Sequence, residues 1–143
     1  MRAVLRTLMV ASLAAILSAA PSEAGLKSFK GPLVQDRAAT IAIEHVGVKI
    51  TGYQFLRPLR SVEKLFKSDS PVIRLSVQSG NAEPQDVSFA VALYDDSGNL
   101  VGVASESLKL KPGEAQEVDL TFSDLNRYAK HATTMQVSVE THL

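Results

Sequence analysis

The chain has 143 residues, with 15 Lys plus Arg against 15 Asp plus Glu, 45% hydrophobic residues, and no Cys or Trp. That length suits one domain and leaves no room for a catalytic domain beside a separate binding domain. Zero cysteine excludes a disulfide framework, a zinc ribbon, an iron–sulfur site and a thiol nucleophile. Balanced charge excludes a generally basic nucleic-acid binder and a strongly acidic disordered chain.

Residues 1–24 read as an export signal. Arg2 and Arg6 supply a positive start, and residues 8–20 form an uncharged run of small and apolar side chains, too short to cross a bilayer comfortably. Ser22 and Ala24 favour cleavage after Ala24, because a cut after Ala20 would leave Pro21 directly behind the scissile bond. No cysteine follows for lipid attachment, and the two arginines are not adjacent, so neither a lipoprotein nor a twin-arginine signal is expected. The expected product is periplasmic or secreted, with no membrane span in its mature form. Residues 25–36 read as a flexible leader and residues 37–143 as the folded domain. The charge is unevenly spread: residues 25–74 hold 9 basic and 4 acidic side chains, and residues 75–143 hold 4 basic and 10 acidic.

Along the domain, the dominant pattern has period two, the signature of strands with one face buried. Ile41 and Ile43 share one parity while Val46, Val48 and Ile50 share the other. The break near Glu44 and His45 predicts a β-bulge or a strand that changes sheets. After Pro58, residues 61–66 suggest a helical turn. Ile73, Leu75 and Val77 then alternate with polar residues, as a strand would. Val87, Phe89, Val91 and Leu93 alternate with the small Ser88, Ala90 and Ala92 and with Tyr94, which predicts a central strand. Asp95, Asp96, Ser97, Gly98 and Asn99 predict a hairpin turn into a partner strand from Leu100. Pro112 and Gly113 predict a type II turn. Val118, Leu120 and Phe122 mark another strand, residues 124–131 a helical turn capped by Asp124, and Met135, Val137 and Val139 a last strand. Six or seven short strands at this spacing predict an all-β, antiparallel, two-sheet immunoglobulin-like sandwich.

The hairpin carries a resemblance as well. Phe89, then Leu93-Tyr94-Asp95-Asp96 with Gly98, followed by Leu110-Lys111-Pro112-Gly113-Glu114, resembles the bacterial envelope domains named for an F-x-L-Y-D pattern. The likeness spans residues 71–122 and is at superfamily level. It implies an immunoglobulin-like sandwich in an exported protein. It implies no activity, because the motif residues serve strands and turns.

Chemistry is sparse. His45, His131 and His142 show no metal-ligand spacing and read as surface or capping residues. No nucleophile elbow, phosphate loop or zinc-protease helix occurs, so no catalytic residue and no cofactor are expected. A small hydrolase is a remote alternative, since triads are recognised by geometry. Asp95, Asp96 and Asn99 cluster oxygens that could take calcium, although a hairpin turn needs the same residues. The same turn underlies a second alternative, an ion- or small-ligand-binding domain for calcium or a glycan. Tyr53, Tyr94 and Tyr128 are the only tyrosines, too few for a clear sugar-stacking platform. Tyr94 reads as sheet-face packing and Tyr128 as a corner tyrosine.

Arg57, Arg60, Lys64 and Lys67 recur at spacings of three and four residues, which aligns them on one side of a helical turn. They form the candidate partner surface, fit for an anionic envelope component or an acidic protein. Nucleic acid is a poor fit with so few aromatics. The expectation is a non-catalytic, exported envelope interaction module that meets its partner through this basic surface or an exposed strand edge.

Overall fold

A computed structural model describes residues 25–56, 70–122 and 131–142. Where apolar and polar residues alternate, the chain pairs into strands that turn one side chain in two toward a shared core. The strands are β1 (Leu26–Pro32), β2 (Ala39–His45), β3 (Val48–Leu56), β4 (Val72–Ser79), β5 (Gln85–Asp95), β6 (Leu100–Leu110), β7 (Ala115–Thr121) and β8 (Ala132–His142). They form two four-stranded sheets. The front sheet has the order β1-β8-β5-β6 and the back sheet β2-β3-β4-β7. Every pairing is antiparallel. The expected all-β, two-sheet sandwich is therefore present, with eight strands among the described residues in place of six or seven.

The core lies between the sheets. Phe89, Val91 and Leu93 of β5 face Ile73 and Leu75 of β4, with Val137 of β8 beside them, and all are fully buried. Each such side chain contributes roughly 1.5–3 kcal/mol by leaving water. Phe55 and Phe122 close one end of the core, their ring centroids 6.3 Å apart and tilted by 53°. As expected, β5 is central, hydrogen-bonded to β6 on one side and β8 on the other.

Two expectations are corrected. Residues 26–32, read as part of a flexible leader, form β1 and pair with β8 from Leu26 opposite Glu140 to Pro32 opposite Thr134. The leader is anchored further by Tyr53, whose hydroxyl accepts from the Val34 N–H at 2.9 Å and donates to the Pro32 carbonyl at 3.3 Å. Lys27 Nζ also donates to the Glu44 carbonyl at 3.0 Å, tying β1 to β2.

The parity break at His45 is a tight turn and not a bulge. His45 lies opposite Val48, so Val46 and Gly47 alone connect β2 to β3, with φ of 48° and 76°. Positive φ at both central residues is the turn geometry whose twist matches paired strands. Gly47 meets the demand freely, whereas Val46 is β-branched and strained there. The bulges of these strands sit elsewhere, between Thr40 and Ile43 and between Ile50 and Gly52. Residues 1–24 and the helical turn expected over residues 61–66 lie outside the described residues. So does the turn expected over residues 124–131, apart from His131.

Candidate functional site

The four cations singled out by sequence, Arg57, Arg60, Lys64 and Lys67, lie outside the described residues, as does Tyr128. The Asp95 turn is fully described. Asp95 Oδ1 accepts the backbone N–H groups of Ser97 at 3.0 Å and Asn99 at 2.8 Å, and Oδ2 accepts from Asn99 Nδ2 at 3.3 Å. The Asp95 and Asn99 backbones close the hairpin, and Gly98 takes φ of 81°. The Asn99 N–H, joined by the Asn99 amide and the Ser97 and Gly98 N–H groups, holds the Asp95 carboxyl below its ordinary pKa. This carboxylate serves the turn. Among the described residues, no group of three or more His, Asp or Glu is placed to hold a metal ion.

The histidines depart from the sequence reading in part. His142 is exposed on β8, where its Nε2 lies 2.9 Å from Ser88 Oγ. His45, expected at the surface, is 4% exposed, and its Nε2 has no hydrogen-bond partner. It shares the inward parity of Ile43 at the last position of β2.

Surface character separates the two sheets. The back sheet turns out charged and paired side chains: Glu44 with Lys49 at 4.0 Å, and Arg74 with both Asp119 and Glu117. Such a face is well solvated. Apart from the Asp86–Lys109 ion pair at one end, the front sheet turns out small and weakly polar residues beside Lys30 and Tyr94, and strand register fixes them in rows. Ser28, Ser138, Ala90 and Ser105 lie side by side across all four strands. In the next row stand Lys30, Gln136, Ala92 and Val103, and then Pro32, Thr134, Tyr94 and Leu100.

The last two rows make an apolar patch. Leu100 and Val103 are 57% and 56% exposed, flanking Tyr94 and Ala92. A register shift after Leu93 skips Val101, which brings Leu100 onto the face that holds Val103. Lys30 Nζ sits 4.4 Å from the centroid of the Tyr94 ring, and the Tyr94 hydroxyl donates to Gln136 Oε1 at 3.3 Å. These two contacts hold the ring beside the patch. Sequence reasoning passed over Leu100 and Val103. The available signal was two aliphatic residues at positions where a hairpin strand would otherwise turn polar side chains to water.

The four outer edges of the sheets also differ. An unpaired edge offers a row of N–H and C=O groups to any extended chain, and proteins blunt it with charge, proline, bulges or shortness. β1 carries Lys27, Lys30 and Pro32, β2 is seven residues long and bulged, and β7 is seven residues long and carries Glu117 and Asp119. β6 runs for eleven residues, carries Glu106 and Lys109, is bulged at Val101 and, among the described residues, pairs only with β5.

Among the described residues, no helix is long and apolar enough to cross a membrane. No family model matches the chain, and no curated protein matches it. Among solved structures, the chain is similar to the crystal structure of a DUF1425 family member from Shewanella sp. pv-4. The two share 15% sequence identity, and the match covers 79% of this chain and 97% of that one at a TM-score of 0.41.

Proposed function

We propose that the chain is an exported, non-catalytic interaction module of the cell envelope, of the F-x-L-Y-D type, that engages a protein through the outward face of its front sheet. One observation carries this reading. Leu100 and Val103 are exposed side by side with Tyr94, at the end of the front sheet away from its Asp86–Lys109 ion pair. Neither aliphatic side chain is part of the buried core, and adjacent exposed apolar side chains are what an interaction surface offers. Residues 89–95 and 110–114, which resemble the F-x-L-Y-D pattern, fall in β5 and around the turn between β6 and β7. They support a structural part for that motif. The apparent signal in residues 1–24 supports export to the periplasm or beyond.

Capture from envelope extract tests the reading. The wild-type chain is compared with Leu100→Ser/Val103→Ser and with Lys64→Glu/Lys67→Glu, at low salt and near 1 M, where screening shortens charge reach to about 3 Å. The expected result is one specific protein, retained at high salt, lost with the Leu100/Val103 variant, and unaccompanied by a change in Tm. Loss with the Lys64/Lys67 variant and at high salt would move the partner surface to the basic segment.

A further inference from the structure

We infer that the patch receives a protein segment presenting an aliphatic side chain beside a carboxylate, with the aliphatic group on Leu100 and Val103 and the carboxylate on Lys30; the inference rests on the interaction-module reading and names the partner's chemistry. In the two outward rows that hold the patch, Lys30 is the only charged side chain. It stands with Gln136, Ala92 and Val103, next to the row of Pro32, Thr134, Tyr94 and Leu100. Lys30 is exposed, and among the described residues its ammonium meets the Tyr94 ring at 4.4 Å and no carboxylate. Tyr94 lies opposite Leu100, and adjacent strands are about 4.8 Å apart, so the cation reaches to within roughly 5–10 Å of the aliphatic pair. Two residues on the same side of an extended chain, roughly 7 Å apart, span that distance. An unpaired cation bordering exposed aliphatic groups is complementary to a carboxylate bordering one.

The surrounding charges give the occupant its direction and its class. Asp96 is exposed in the turn that joins β5 to β6, beyond the Leu100 row, and disfavours a second negative charge there. The incoming carboxylate therefore turns toward β1 and the aliphatic group toward β6. At the far end of the face stand Glu140 and the Asp86–Lys109 pair. A membrane surface or a nucleic acid would bring many negative charges against Asp96, Glu140 and Asp86 together, whereas a single carboxylate meets Lys30 alone. A sugar ring would compete with the Lys30 ammonium for the face of Tyr94. The apolar contact supplies most of the affinity, and the exposed ion pair fixes orientation.

Titration of the full chain with two acetylated, amidated pentapeptides tests the inference, read by NMR through the methyl resonances of Leu100 and Val103. One peptide carries Glu and Leu two residues apart among glycines, and the other has Lys in place of Glu. The Glu peptide is expected to shift both sets of methyl resonances saturably and to bind about fivefold more tightly than the Lys peptide, the most that an exposed ion pair supplies. Lys30→Met, which keeps an apolar stem at an exposed position, is expected to bind the two peptides equally, and Lys30→Glu to prefer the Lys peptide. Equal binding of both peptides by the wild-type chain, shifts confined to other residues, or no shift would overturn the inference. So would binding of phosphatidylglycerol vesicles at Leu100 and Val103 with neither peptide bound. If the peptide chemistry fails while an envelope protein is still captured through Leu100 and Val103, the module reading stands without it. Loss of both overturns both.

Discussion

Arg74 on β4 and Asp119 on β7 stand directly opposite each other, and their side chains join through two parallel hydrogen bonds. Arg74 Nε donates to Asp119 Oδ1 at 2.8 Å and Nη2 donates to Oδ2 at 3.0 Å. The guanidinium fork fits the carboxylate, and Glu117 adds a second acidic neighbour at 3.5 Å. With side-chain exposures of 37% and 46%, the pair is worth no more than about 1 kcal/mol. The Arg74 hydrogen bonds hold the Asp119 carboxyl below its ordinary pKa, and Asp119 in turn raises that of Arg74. A carboxyl depressed by folding contributes stability above its unfolded pKa and loses it as pH falls through the folded one. Asp119→Asn should therefore cost up to about 1 kcal/mol at pH 7 and flatten the loss of Tm below about pH 4. Urea titrations at several pH values would check both.

The β2–β3 turn contains a residue ill suited to it. Val46 is half exposed with φ of 48°, and its carbonyl accepts from Asn81 Nδ2 at 3.0 Å. Val46→Asn keeps that carbonyl and removes the steric conflict, so it should raise stability by about 1 kcal/mol. Gly47→Ala should lower it by more than about 1 kcal/mol, because the added methyl meets both a positive φ and the Asn81 side chain. Thermal melts of the two variants should move in opposite directions.

Tyr53→Phe tests whether residues 32–34 are held to the fold. The ring stays buried, but the Val34 N–H loses its acceptor and the Pro32 carbonyl its donor. The expected cost is about 1–2 kcal/mol, with faster amide exchange at Val34 than in wild type. An unchanged rate at Val34 would mean that the hydroxyl does not secure this segment.

His45 occupies an inward position with its Nε2 unpartnered. Replacing a buried polar group by an apolar one of similar shape is near neutral or stabilising. His45→Met should therefore melt at or above the wild-type temperature, whereas His45→Asp should be strongly destabilised by a buried, unpaired charge.

The sequence made some of this architecture readable and hid the rest for physical reasons. β5 alternates without interruption, and the turns after β5 and β6 have glycine where the backbone needs it, with Gly98 at φ of 81° and Gly113 at 68°. β1 has no such alternation, since none of its residues is buried, and it becomes a strand only by pairing with β8 across more than a hundred residues, as the 2.7 Å contact of Ser28 and Ser138 shows. The turn at Val46 defied its own residue preference. The apolar patch depends on a register shift opposite Val101, which local composition does not announce. The basic quartet of Arg57, Arg60, Lys64 and Lys67 was legible as a pattern, and it lies outside the described residues.

Site-specific photocrosslinking in intact cells reads out which outward face meets a partner. A photoreactive residue is placed at Val103 on the outward face of the front sheet, or at Gln54 on that of the back sheet. One discrete protein adduct is expected from position 103, lost when Leu100→Ser is added, and none from position 54. An adduct from position 54 alone, or equal labelling from both positions, would contradict an interface on the front sheet.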